Sequence, residues 1–188
     1  MSEPARKRAT YDDLYTLPPN MTGQIIEGEM FVFPRPHSKH ANVAFALSGE
    51  LGPPFRFGRG GGPGGWIILI EPEIMLSDNL LVPDLAGWRT ERLPEPPKEN
   101  FIAITPDWIC EILSPGTARL DRIRKMPIYA QHEVKHLWFI DPIIKILEVY
   151  ILKEGSWVVR GNYGEDERVR AEPFDAVEIN LAGLWWGD

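Results

Sequence analysis

This chain of 188 residues lacks several features that common protein classes require. It has one cysteine, Cys110, so no internal disulfide can form, which fits a reducing cytoplasm. No apolar run approaches the length of a membrane span, and residues 1–10 are polar and basic, without the apolar segment of a signal peptide. These absences predict a cytoplasmic globular protein that has no membrane partner.

Positive charge is also scarce overall. The formal net charge of −7 argues against a large basic surface for nucleic acid. The glycine-rich segment 58–65 is not a phosphate-binding P-loop, because no Gly-Lys-Ser/Thr follows it. One group of cations nevertheless lies close together in the sequence: Arg119, Arg122, Arg124, Lys125 and Lys135. Such a local patch is compatible with phosphate binding.

Length and composition favour one ordinary globular domain. Apolar residues make up 44% of the chain and charged residues 25%, and a chain of this size can bury a substantial core. We expect a disordered basic N-terminus over residues 1–10 and a single domain over residues 11–188.

Hydrophobic periodicity predicts strands, then a helix, then further strands. Helices are predicted at 11–17, 38–51 and 117–131, and strands at 24–33 (a hairpin broken at Gly28), 66–70, 73–76, 82–88, within 102–113 and at 137–140. A last hairpin over 144–160 would turn at Glu154-Gly155. The predicted fold class is α/β (α+β), with a mixed central sheet flanked by helices and an added C-terminal hairpin.

Two acids lie inside apolar, strand-like segments. Asp84 follows Val82-Pro83, and Glu111 lies within the apolar segment 108–113. A charge in such a segment costs several kcal/mol unless a partner or a metal stabilises it. With Lys125 they form the set that a Mg²⁺-dependent phosphodiester hydrolase needs, because carboxylates bind a hard cation and a lysine stabilises charge or orients the attacking water.

Structural explanations compete with this chemical one. Asp84 could cap a turn, as aspartate often does, and Lys125 taken alone is more often a surface residue. Glu111 has no obvious structural role among its apolar neighbours. His37 and His40 have no cysteine or HExxH partner that would indicate a zinc site.

Six short motifs follow one another along the chain. They are Ile25-Ile26-Glu27-Gly28-Glu29-Met30, Pro36-His37-Ser38-Lys39-His40, Val82-Pro83-Asp84, Pro106-Asp107 with Glu111-Ile112-Leu113-Ser114-Pro115, Asp121 with Lys125 and Tyr129, and Leu137-Trp138-Phe139-Ile140-Asp141-Pro142. In this order they resemble the Uma-type family of restriction-endonuclease-like proteins, within the PD-(D/E)xK nuclease superfamily. The resemblance covers roughly residues 11–152 and implies a mixed four-stranded sheet flanked by helices.

The resemblance also implies roles for individual residues. Asp84 would match the PD aspartate and Glu111 the acid of the (D/E)xK element. Leu113 stands where that element usually has its lysine, so Lys125 of the following helix is expected to replace it. Asp84 and Glu111, helped by the backbone carbonyl of Ile112, would bind Mg²⁺ or Mn²⁺.

Further residues would support this set. The spacing of Asp121, Lys125 and Tyr129 places all three on one helical face. Gln24 stands where members of the family often carry glutamate. The predicted supporting residues are Gln24, Glu27, His40, Ser114, Asp121 and Tyr129.

The leading hypothesis is a metal-dependent nuclease that hydrolyses DNA phosphodiester bonds. One alternative is a catalytically silent binding or regulatory module with the same fold, which the acidic net charge and Gln24 support. Another is a metal-dependent phosphohydrolase that acts on a different substrate. DNA is the expected partner, and a homodimer is compatible with the sequence.

Overall fold

The computed structural model describes residues 8–186. Of the predicted disordered N-terminus, residues 1–7 lie outside the described residues, and the single domain over residues 11–188 stays a prediction. Within the described part, no helix is long and apolar enough to cross a membrane.

The secondary structure follows the predicted order. The α-helices are α1 (Tyr11–Leu14), α2 (Ser38–Leu51), α3 (Ala118–Leu120) and α4 (Met126–Gln131). Two π-helical turns cover Gly52–Arg56 and Asp121–Lys125, and a 3₁₀ turn covers Leu181–Leu184. The strands are β1 (Met21–Ile26), β2 (Glu29–Pro34), β3 (Trp66–Ile70), β4 (Ile74–Leu76), β5 (Asn79–Leu81), β6 (Leu85–Arg89), β7 (Trp108–Ile112), β8 (His136–Asp141), β9 (Ile146–Lys153), β10 (Ser156–Gly164), β11 (Arg168–Val169) and β12 (Ile179–Asn180).

The main sheet is mixed, as predicted. Its strand order is β10-β9-β8-β7-β6-β3, with β7 and β8 parallel and the other neighbours antiparallel. A smaller sheet has the order β2-β1-β5-β4, and β11 pairs with β12. The C-terminal hairpin is confirmed, and its pairing with β8 makes the main sheet larger than the four strands that the resemblance implied.

Apolar residues cover both faces of the main sheet. On one face, α2 packs through Val43, Leu47 and Leu51. On the other, Ile128 and Tyr129 of α4 join residues of the small sheet. The tryptophans predicted to lie in the core are almost fully buried: Trp66, Trp88, Trp108 and Trp138. The sheet is thus a rigid support for side chains at its strand ends.

The helical stretch 118–131 changes its winding in the middle. The π turn Asp121–Lys125 separates α3 from α4, and Pro127 lies in the first turn of α4. The proline directly follows the π turn, and the altered winding there accommodates its missing N–H. Thr117 occupies the N-cap position without a side-chain cap, and the hydroxyl of Ser114 accepts the N–H of Thr117 instead.

Candidate active site

The pairing of strands β6 and β7 positions the two predicted acids. Pro83 has no N–H for a ladder hydrogen bond, so the predicted strand is interrupted there and β6 starts after Asp84. The β6–β7 ladder ends at the pair Leu85–Cys110, and Asp84 and Glu111 are the residues next to that pair on the two segments. The Asp84 carboxylate reaches the N–H of Ile112, the neighbour of Glu111. The fold therefore brings the two acids into the same region.

Glu111 is hydrogen-bonded by side chains of the helical stretch that follows it in the chain. Its side chain is almost fully buried, and its Oε1 accepts hydrogen bonds from Nζ of Lys125 at 2.6 Å and from the hydroxyl of Tyr129 at 2.5 Å. Lys125 is also almost fully buried, and its Nζ lies 3.1 Å from Oδ1 of Asp121. Both polar contacts of Glu111 among the described residues use Oε1, which leaves Oε2 for a further ligand.

Burial and charge determine protonation in this cluster. Burial raises the pKa of Glu111 to about 8; the ammonium of Lys125 opposes the rise, and the charges of Asp121 and Asp84 add to it. Burial works to lower the pKa of Lys125, but the carboxylates of Glu111 and Asp121 outweigh it and raise that pKa. Burial and the Glu111 charge also raise the pKa of Tyr129, so its hydroxyl is a neutral donor.

Asp84 is fixed by two partners. Its Oδ1 lies 3.0 Å from Nε2 of His40 in α2, and its Oδ2 accepts the backbone N–H of Ile112 at 2.6 Å. Burial works to lower the pKa of His40, but the hydrogen bond and charge of Asp84 outweigh it, and the backbone of Ile112 raises the pKa further. The imidazole of His40 therefore adjoins both Asp84 and Ile112, two of the predicted metal ligands.

One cavity of about 460 Å³ joins these groups. Asp84, Glu111, Asp121 and Lys125 all line it. The small sheet and the segment after it close the opposite side with Thr22, Gln24, Phe33, Pro34, Arg35, Pro36 and His37. Its volume is that of a small-molecule pocket, well below what an intact duplex would occupy.

Gln24 of β1 connects the small sheet to the segment that carries Asp84. It is 7% exposed, lines the cavity, and its Oε1 accepts the backbone N–H of Val82 at 3.0 Å. With the oxygen so engaged, the amide nitrogen is the end that remains for a ligand in the cavity.

The other predicted supporting residues separate into two groups. Ser114 lines the cavity and its hydroxyl contacts that of Thr117 at 3.0 Å, while Tyr129 acts through Glu111. Glu27 is not brought to the site. It lies in the turn between β1 and β2 with φ of 53°, and its carboxylate pairs with Arg124 outside the cavity.

Glu71 is a cavity residue that the sequence reasoning missed. It directly follows β3, lines the cavity, and its N–H donates to the backbone carbonyl of Asp84. An acid immediately after the apolar run 66–70 was the available signal, but nothing local indicated that it lies beside Asp84.

The predicted basic patch is not a free cationic surface. Arg122 makes a two-bond contact with Glu148, Arg124 pairs with Glu27, and Lys135 pairs with Glu133. Lys125 is buried in the site. Arg122, Arg124 and Lys135 therefore point to different carboxylates, and Arg119 is the exposed member of the patch.

The described residues contain no group of three or more His, Cys, Asp or Glu side chains that is arranged to hold a metal ion. The predicted ligand set has two side-chain carboxylates and a backbone carbonyl, so it depends on Asp84 and Glu111. Cys110 is fully buried, and burial raises the pKa of its thiol well above the usual value, so it is an inert core residue and not a nucleophile.

Comparison with known proteins identifies relatives. Residues 8–182 match the family described as "Uma2: Putative restriction endonuclease". A solved structure described as a putative nuclease belonging to DUF820 from Anabaena variabilis is 22% identical, with a TM-score of 0.70 over 94% of this chain and 97% of that one. No curated protein matches the chain. The structural likeness supports the fold described above, a mixed sheet flanked by few helices.

Proposed function

The chain belongs to the Uma2 family, and on this premise we propose that it is a Mg²⁺- or Mn²⁺-dependent nuclease of the PD-(D/E)xK type that hydrolyses DNA phosphodiester bonds. One observation carries the proposal. Asp84, Glu111 and Lys125, taken from three separate parts of the sequence, line a single cavity, and two of them are almost fully buried there. Buried charges of this kind are more common at functional sites than elsewhere in a fold.

The groups that are present fit a hard divalent cation. Carboxylate oxygens are the ligands that Mg²⁺ and Mn²⁺ prefer, and Glu111 retains Oε2 while Asp84 retains lone pairs beyond those used by His40 and Ile112. The two carboxylates also repel each other, as the effect of Asp84 on the Glu111 pKa indicates, so a cation between them would relieve the repulsion. When bound, the cation would supply positive charge that polarises the scissile phosphate.

The chain's own residues supply the other requirements. The ammonium of Lys125, kept charged by Glu111 and Asp121, stabilises the negative charge that develops on the phosphate oxygens during attack by water. Tyr129 fixes the orientation of Glu111 from behind, and His40 fixes Asp84. The amide nitrogen of Gln24 donates to a substrate oxygen in the cavity. The single buried cysteine fits action in the cytoplasm.

Plasmid nicking tests this function. Purified protein is incubated with supercoiled plasmid in Mg²⁺, in Mn²⁺ and in EDTA. We expect relaxed and linear products only with metal, and loss of product in Asp84→Asn. The matched control is Asp78→Asn, since Asp78 is exposed and its ion pair with Arg8 lies on the surface.

Three outcomes would contradict the proposal. Absence of cleavage with both metals would favour a silent binding module, and equal cleavage by wild type and Asp84→Asn would show a contaminating nuclease. Hydrolysis of small phosphate esters without DNA cleavage would instead favour a phosphohydrolase acting on another substrate.

A further inference from the structure

The outer edge of strand β3 has unpaired backbone groups. Two hydrogen bonds just beyond the ends of β3 show which of its residues bond to β6. Thr90 N donates to Gly65 O and Glu71 N donates to Asp84 O, so the odd-numbered positions 65 to 71 face β6. By the alternation of an antiparallel ladder, Ile68 and Ile70 direct their N–H and C=O groups away from β6. From residue 8 to residue 186, no hydrogen bond reaches these four groups.

Nothing in the sequence of β3 protects this edge. Its five residues are Trp-Ile-Ile-Leu-Ile, with no charge, proline or bulge, and Leu69 is 36% and Ile70 55% exposed. The opposite edge of the same sheet, β10, carries Arg160 and has a register shift between Val159 and Gly161. Charges and bulges are the usual means by which proteins prevent edge pairing, so β10 is protected and β3 is open.

We propose that β3 is the dimer interface of this protein and that a second copy of the chain docks there. The two β3 strands pair antiparallel about a two-fold axis at Leu69, so that Ile68 bonds to the partner's Ile70 and Ile70 to the partner's Ile68. The carbonyl of Trp66 lies outside this pairing, where the guanidinium of Arg56 already contacts it. The result is one continuous sheet through both copies.

Charge at the two ends of β3 favours a second copy as the occupant. Arg56 and Arg89 lie at the start of the strand, where Arg89 stacks 4.1 Å over the ring of Trp66, and Glu71 follows its end. Antiparallel pairing sets the start of one β3 beside the end of the other. Arg56, which bonds to the outward-facing carbonyl of Trp66, is therefore on the side of the partner's Glu71, with Arg89 adding positive charge from β6, and symmetry makes the contact twice.

The pairing brings the two active sites together. Glu71 lines the cavity and lies two residues from the proposed axis. With a rise of about 3.4 Å per residue, Glu71 and the partner's Glu71 would be about 14 Å apart. Because β3 is short, we expect a dimer of modest affinity whose population depends on concentration.

Solution mass is the first test. We expect the mass from light scattering to rise with concentration toward twice the 21.4 kDa of the chain. Ile70→Lys should keep the protein monomeric, since an edge lysine opposes pairing. Because Ile70 is exposed, the variant should melt as wild type does at low concentration, where wild type is monomeric too. Val159→Lys on β10, also exposed, is the matched control and should still dimerise.

Disulfide trapping tests the register. In the proposed dimer, Leu69 lies opposite the partner's Leu69 at a non-hydrogen-bonded position of the ladder. The Cα atoms of such a pair are about 4.5 Å apart, a distance that a disulfide can span. Leu69→Cys should therefore cross-link rapidly under mild oxidation, while Val158→Cys on β10 should not, and the buried Cys110 does not interfere. A monomeric mass at every concentration, or cross-linking of Leu69→Cys no faster than that of Val158→Cys, would overturn the interface.

Discussion

The ammonium of Lys125 lies 2.6 Å from Oε1 of Glu111, and both side chains are almost fully buried. Glu111 belongs to β7 and Lys125 to the π turn after it, so the contact requires the chain to return over its own strand. The π turn carries both Asp121 and Lys125, whose side chains pair with each other and line the cavity. Such turns are frequent at functional sites. A buried ion pair contributes little to stability over an apolar pair, which favours a functional reason for it.

Removal of the Lys125 charge should impair catalysis more than DNA binding. In Lys125→Met the stem is retained and the ammonium is lost, so we expect turnover to fall by about 10²–10³-fold, the loss typical of a group that stabilises transition-state charge. DNA affinity should change by only a few fold. Single-turnover cleavage and fluorescence anisotropy separate the two effects. Lys135→Met is the control, and equal losses in both assays would make Lys125 a phosphate contact.

Stability without metal should depend on pH through Glu111. Its pKa is raised from 4.5 to about 8 by burial, so the unfolded chain releases this proton at lower pH than the folded chain does. The stabilising contribution is complete below pH 4.5 and is lost as pH rises through about 8. Urea unfolding in EDTA should show this decline in wild type and not in Glu111→Gln. Parallel profiles for the two proteins would contradict the assignment.

Replacement of Gln24 by glutamate should strengthen cation binding and lower the stability of the protein without metal. Gln24 is nearly buried in the cavity that Asp84 and Glu111 also line, so a third carboxylate there would be poorly solvated and repelled by the other acids. We expect Gln24→Glu to melt lower than wild type in EDTA and to gain more from Mn²⁺, since a ligand that binds only the folded state raises the midpoint. Calorimetry with and without Mn²⁺ measures both. An equal Mn²⁺ shift in the two proteins would place Gln24 outside the metal site.

Loss of the Tyr129 hydroxyl should weaken the support of Glu111. Tyr129→Phe removes a buried hydrogen bond to Glu111, while the contact with Lys125 remains, and should cost about 0.5–1.5 kcal/mol of unfolding free energy. Tyr15→Phe, at an exposed position with a long hydrogen bond to Asn100, should change it little. Urea unfolding of both variants provides the comparison. A Tyr129→Phe protein as stable as wild type would mean that Lys125 alone holds Glu111.

Much of the fold could be predicted from the sequence because its signals are local. The helix at 38–51 has the bounds of α2, and the turn at Glu154-Gly155 joins β9 to β10. The same reasoning singled out Asp84, Glu111 and Lys125, because charges within apolar or helical patterns are visible without coordinates. The strand predicted over 82–88 is shorter in the structure: β5 ends at Leu81 and β6 begins at Leu85, so Pro83, which has no N–H for a ladder hydrogen bond, lies in the gap between them.

The tertiary structure decided which residues meet. The pairing of β6 with β7 brings Asp84 and Glu111 to one cavity, and α2 brings His40 to Asp84. The folded chain also places Glu71 in the cavity, and it places Glu27 outside the cavity, where Glu27 pairs with Arg124. Residue type and periodicity are properties of a few neighbouring positions, so the sequence by itself determined the elements and the candidate groups. Distances between groups depend on strand pairing across long separations, which only the folded chain defines.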